Sequence, residues 1–316
     1  MRARKEQSVT SNGHGLAMGI ASSKMSPASY LSYTLGGIQG IKGIKALDDA
    51  LSEDSTLDSD KKAYLVGDLA AHLSQIHQLV LKGARQFLVV SESEVADEVA
   101  KYIDASHDDF SAAQLKGFEL PNVRENVKEA WLTSTQVNFC AKAYPTVPVE
   151  HPDSAALTVL GGFLRNGILH RTIREQGGAY GGGANQDNNI AAFRLFSYRD
   201  PRLLETFNDF DQSLQWLETE EHDAQALEEA VLGIISSLDK PSSPAGEAKQ
   251  TFHAELFNRT REKREEFRKR ILAVSIEDLQ RVARTYLVEE NASYGVVTHA
   301  ANRDAVEQLG LNIHTL

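Results

Sequence analysis

The chain has 316 residues, with 33 Lys and Arg against 44 Asp and Glu, a formal net charge of −11 and one cysteine, Cys140. That length allows about two domains, and 41% hydrophobic residues with 24% charged exclude a disordered or collagen-like chain. The cysteine count excludes an intramolecular disulfide and a thiolate zinc cluster, the acidic balance argues against nucleic acid and would suit a cationic ligand, and no apolar run approaches the ~18 residues of a membrane span.

At the N-terminus, MRARKEQSVTSNGHG has basic residues without the apolar stretch of a signal peptide, which points to the cytoplasm or an organelle matrix. From Ser26 to Gly117 the pattern reads mainly as helix, with Tyr64, Leu65, Leu69, Leu73, Ile76 and Val80 at helical spacing. Phe87-Leu88-Val89-Val90 reads as a short strand before a helix over about Glu94 to Ile103. A lone strand needs neighbours for its backbone groups, so its sheet comes from elsewhere. Phe118 to Ala130 reads as a linker.

Beyond the linker the pattern is that of a complete α+β unit. Gln136 to Tyr144 alternates as a strand ended by Pro145, and a long apolar helix after Asp153 carries Leu157, Leu160, Leu164, Ile168 and Leu169. Strands follow near Ala179 to Asn185 and Ala191 to Tyr198, and Asp200-Pro201 suggests a capped helix start. Helices are expected at about Asp223 to Leu238, Ala245 to Asn258, Arg259 to Arg270 and Ser275 to Leu287, the last opened by the capping-box pair Ser275 and Asp278. A strand at Ser293 to Thr298 returns the chain to the sheet. The predicted class is α+β, a sheet with helices packed on one face.

Chemistry concentrates in HRTIREQGGAYGGGAN, residues 170–185. Its glycines, Gly177, Gly178, Gly181, Gly182 and Gly183, follow a helix and lead into a strand, the reverse of a phosphate cradle. A glycine helix stop followed by a loose hairpin accounts for part of them. Arg174 and Tyr180 flank the break, and a strand without side chains would let a second backbone approach closely. The ten histidines form neither H-E-x-x-H nor H-x-x-E-H, so no metal site is expected within this chain. Cys140 reads as a buried, inert thiol, and the helix RTREKREEFRKR as a solvated charged surface.

The run LRNGILHRTIREQGGAYGGGA followed by AFRLFSYRDPR closely resembles the C-terminal half of the pitrilysin or insulinase type zinc metallopeptidases, in particular the presequence protease branch and its bacterial relatives. The similarity extends through QVNFCAKAYPTVPVEHPD and, more loosely, to Gly13-His14-Gly15. The resemblance implies two halves closing on a peptide substrate, like a clam shell. The zinc would be held by a missing N-terminal half, and no cofactor by this chain. It implies that Arg174 and Tyr180 are the catalytic contacts to the scissile carbonyl or its oxyanion, both being dependable donors. Gly178, Ala179, Gly181, Gly182 and Gly183 would then lie along the substrate. Residues 1–125 would be the mostly helical end of a partial domain and 126–316 a complete one. The partner would be the zinc-bearing half of the same protein or a homologous subunit, with no peptidase activity expected of this chain alone. The alternative implied is a non-catalytic interaction subunit of the same fold.

Overall fold

The computed structural model describes residues 9, 11–106, 112–117 and 119–316. Residues 107–111 of the expected helical stretch and Phe118 of the expected linker lie outside them. Contacts divide the chain into a first unit, Met1–Ala46 with Leu120–Asp239 and Glu265–Leu316, and a second, Leu47–Glu119 with Lys240–Arg264. The helices are α1 (Gly13–Ala21), α2 (Pro27–Leu35), α3 (Ile38–Leu51), α4 (Ser59–Lys82), α5 (Ser93–Ser106) and α6 (Ser154–Leu164). They continue with α7 (Leu204–Thr219), α8 (Ala224–Leu238), α9 (Pro244–Leu256), α10 (Arg261–Leu272), α11 (Ile276–Tyr286) and α12 (Arg303–Gln308). The strands are β1 (Lys128–Thr133), β2 (Asn138–Pro145), β3 (Gly181–Asp187), β4 (Ala192–Asp200), β5 (Ser293–His299) and β6 (Asn312–Thr315).

The first unit is built on one mixed sheet in the order β3-β4-β2-β5-β1-β6. From β3 to β5 neighbouring strands are antiparallel, whereas β1 pairs in parallel with both β5 and β6. Residues Asn138 to Tyr144 of β2 are all buried, because both faces of the central sheet are covered. Cys140 and Tyr144 join a core with Leu157, Leu160 and Phe163 of α6. Phe139, Ala141 and Ala143, the alternate positions, pack with Leu16, Ala17 and Ile20 of α1. Gly295 of β5 has no room for a Cβ against the Ala17 carbonyl, so α1 lies directly on the strand. The α+β class is as expected, with the main helical layer on one face and α1 added on the other. Burial pushes the Cys140 thiol pKa well up, which keeps it protonated and unreactive.

Helix α11 opens as the sequence predicts: Asp278 donates its N–H to Ser275 Oγ, and Ser275 returns its own to Asp278 Oδ2, both at 3.2 Å. Lys142 of β2 is fully buried yet reaches Asp211 Oδ1 at 2.5 Å and Glu289 Oε2 at 2.6 Å, so the buried cation is paired.

Three expectations change. The linker ends before residue 128, since Lys128–Thr133 is β1, held between β5 and β6; its charged start masked the buried Ala130, Trp131 and Leu132. Asp200 is the last residue of β4 rather than a helix cap, and α7 starts only at Leu204. Its buried carboxylate accepts from the Arg202 N–H at 3.0 Å and the Thr206 hydroxyl at 2.8 Å. Phe87 to Val90 forms no strand.

That last segment belongs to the second unit, in which α4, α5 and α9 contain no buried residue. The apolar positions of α4 have the predicted helical spacing but face solvent, Tyr64 at 74% and Val80 at 68% exposure. Phe87 to Val90 are likewise exposed. Without a neighbouring strand an extended segment gains no ladder hydrogen bonds, so a strand-forming sequence stays irregular.

Candidate functional site

The glycine-rich element lies at the end of a long helical run. Beyond α6 the chain continues as a π-helix over Arg165–Gln176, a rare geometry that recurs at functional sites. Its wider turn brings residues five apart together: His170 Nδ1 lies 3.4 Å from Glu175 Oε1, while His170 Nε2 is 3.5 Å from Arg174 Nη1. Ile168, Leu169 and Ile173 anchor the opposite side in the core, leaving Arg174 exposed in the last turn.

The helix stops as the glycines require. Gly178 adopts a left-handed φ of 78°, its N–H donates to the Arg174 carbonyl at 3.1 Å, and the Ala179 N–H donates to that of Ile173 at 3.1 Å. The chain then reverses through buried Ala179, and the next residue, Tyr180, stands 63% exposed. Arg174 and Tyr180 are thus carried on the two sides of one tight turn.

Gly177 has an ordinary right-handed φ of −82°, so its reason is space. A Cβ there would overlap the Arg202 guanidinium, which donates through Nη2 to Asp209 Oδ2 at 2.8 Å and to the Thr172 carbonyl at 3.3 Å. Arg202 therefore ties the π-helix to α7 beneath the turn. The glycines of β3 also make room for the protein itself. The Tyr198 ring fills the place of a Gly181 side chain, with its nearest atom 2.5 Å from where a Cβ would sit. Ile173 and the Phe196 carbonyl, both at 2.9 Å, do so at Gly182, and Arg165 lies 3.4 Å from the Gly183 position. One side of β3 remains unpaired: it is an edge strand bonded only to β4.

Around Tyr180 the structure adds residues that the sequence reading did not single out as site residues. The Tyr198 ring centroid is 5.5 Å from that of Tyr180 and 5.1 Å from that of His14, and the Arg199 guanidinium lies 5.7 Å from the Tyr180 ring. The only signal for them was the loosely matched Gly13-His14-Gly15 and the run SYRDPR, which carried no spacing rule. Partial burial pushes the His14 imidazole below its ordinary pKa, favouring the neutral ring against Tyr198. Among the described residues no three of His, Cys, Asp and Glu come close enough to hold a metal ion, so these residues do not fit a zinc centre.

A family model described as the PreP C-terminal domain matches residues 128–302, and a second, for a region associated with the same peptidase subfamily, matches residues 1–47. The mitochondrial presequence protease of Yarrowia lipolytica is 30% identical over 290 residues, covering 90% of this chain and 28% of that protein. The chain therefore spans little more than a quarter of that relative's length. Among solved structures, pitrilysin superposes with a TM-score of 0.52 at 15% identity, over 85% of this chain and 32% of that one. A protease from Helicobacter pylori gives 0.53 at 14% identity, over 64% and 52%. Identities this low speak for a shared fold alone. The sheet, the helix-to-strand turn and a domain model that takes in more than half of the chain agree: it belongs to the presequence protease C-terminal domain family, within the pitrilysin-type peptidases.

Proposed function

We propose that this chain is the part of a zinc metalloendopeptidase that encloses the peptide and supplies Arg174 and Tyr180 to the scissile carbonyl as it becomes an oxyanion. The observation that carries this reading is the turn at Gly177–Ala179, which presents an exposed guanidinium and an exposed phenol from one rigid junction. Donors fixed before the reaction stabilise developing charge without reorganising. The free edge of β3 is the place where an extended peptide would run beside Gly178, Ala179, Gly181, Gly182 and Gly183, adding as a strand. Because the glycine faces are filled from within, the edge rather than the missing side chains supports that docking.

Zinc and the water it activates belong to an N-terminal half or a homologous subunit, with peptides as the substrate class. On this reading residues 1–125 are the end of a partial domain and 126–316 a complete one. Support comes from the second unit, where α4 and Phe87 to Val90 expose apolar surface that a sheet would cover.

The test joins this chain to a polypeptide carrying the H-x-x-E-H half, covalently or by mixing. Tyr180→Phe is expected to lower kcat by about 10²–10³ with KM little changed. Unchanged kcat in Tyr180→Phe refutes the role given to the phenol. Stoichiometric zinc and peptide cleavage by the 316-residue chain alone refute the division of labour, and a stable but inactive complex favours a non-catalytic interaction subunit.

A further inference from the structure

The β2–β4 pairing breaks register beside the site. Asn138 faces Asp200 and Cys140 faces Ser197, so one residue of β2 is matched by two of β4, Tyr198 and Arg199. This is a β-bulge, a device that re-aims side chains and is enriched next to active sites. At its centre Arg199 takes a φ of 50°, an uncommon conformation for a residue with a Cβ. Two contacts with Tyr180 accompany it. The Arg199 carbonyl accepts the Tyr180 N–H at 3.3 Å, and the Arg199 guanidinium lies over the Tyr180 ring. Arg199 has no carboxylate partner among the described residues, whereas Arg194, Arg202, Arg268 and Arg281 each have one. An exposed arginine left unpaired in an acidic chain and turned onto a tyrosine is engaged by the ring itself.

We propose that Arg199 is a positioning residue for Tyr180: the bulge turns its guanidinium onto the phenol ring, which fixes the direction of the Tyr180 hydroxyl. Tyr198, seated over Gly181 and against His14, provides a second ring contact 5.5 Å from Tyr180. The assignment rests on the peptidase reading only for its consequence in turnover; the placement of the ring is a property of the chain alone.

The experiment has two arms. In the first, the 316-residue chain is labelled with ring-¹³C tyrosine, and the Tyr180 resonance is assigned by its loss in Tyr180→Phe. Arg199→Asn, which tolerates the left-handed backbone, is expected to move that resonance toward the position of free tyrosine while the melting temperature stays that of wild type; Arg199→Lys should move it less. Should Arg199→Asn fail to fold, Arg199→Gly serves in its place. A Tyr180 resonance unmoved in the Asn or Gly variant overturns the proposal. In the second arm, turnover with the zinc-bearing half, Arg199→Asn is expected to lower kcat about 2- to 5-fold at unchanged KM, with no further loss when combined with Tyr180→Phe. Additive losses in the double variant overturn positioning. If Tyr180→Phe itself leaves kcat unchanged, the peptidase reading fails, and the resonance still decides the role of Arg199.

Discussion

Replacing Gly177 by alanine isolates how the turn is held. At φ −82° the backbone accepts alanine without strain, so any loss comes from the overlap between the new methyl group and the Arg202 guanidinium. Moving that group away breaks its bonds to Asp209 and Thr172. Hydrogen bonds involving a charged partner contribute about 1.5–3 kcal/mol each. The Arg202 side chain is 25% exposed and the longer contact is 3.3 Å, so water recovers part of the loss and about 2–3 kcal/mol remains. For a domain of about 200 residues this lowers the melting temperature by about 4–12 °C, readable by circular dichroism. Gly178→Ala should cost about 1–2 kcal/mol for the opposite reason, a left-handed backbone with space around it. The decisive comparison places Gly177→Ala in an Arg202→Ala background, where the obstacle is gone and the penalty should vanish. A melting temperature within about 1 °C of wild type for Gly177→Ala, or a penalty undiminished in the double variant, would refute the reasoning.

Two further outcomes follow from the charge and surface of the chain. Burial raises the pKa of the Glu289 carboxyl, but hydrogen bonds from Lys142 and Tyr294 outweigh it and hold the group below its ordinary pKa. A carboxylate depressed in the folded state stabilises above its unfolded pKa, and that contribution is lost as pH falls through the folded value. Glu289→Gln should therefore melt below wild type at pH 7, and the gap should close in melting curves recorded toward pH 3; a gap independent of pH would contradict the pairing. In the second unit, Val89→Lys should leave the melting temperature within about 2 °C, as a surface change does, while lowering binding of the dye ANS. Phe163→Ala in the main core should cost about 3–5 kcal/mol. A large stability loss from Val89→Lys would mean that this apolar tract is packed rather than exposed.

Where apolar spacing and local chemistry agreed, the sequence was readable: the buried strand β2, the helix α6, the Ser275–Asp278 cap and the glycine stop at Gly178. Reading failed where a residue's partner is remote. Strand β1 begins with Lys128 and Glu129, and only pairing with β5 and β6 makes it a strand. Asp200 looked like a cap because Pro201 follows it, whereas its carboxylate serves Arg202 and Thr206 in a buried network. The π-helix could not be seen, since Leu164, Ile168 and Leu169 suit an ordinary helix equally well. At the candidate site Arg174 and Tyr180 were found through a motif, but Arg199 depends on a bulge between two strands, and no local pattern announces one.

The placement of β1 between β5 and β6 bears on how the protein is made. Lys128 meets Tyr294, and Trp131 meets Val297 and His314, so β1 waits for partners more than half a chain length away. At ribosomal speeds of about 5–20 residues per second, that interval lasts roughly 10–30 s. Throughout it the β1 segment, with Trp131 and Leu132, has no parallel neighbour, while the β3–β4–β2 meander can already assemble. Such long-range parallel closure is slow and leaves edges open to misassociation. A nascent chain halted before residue 293 should therefore engage chaperones through the β1 segment, and completion of β5 should release it.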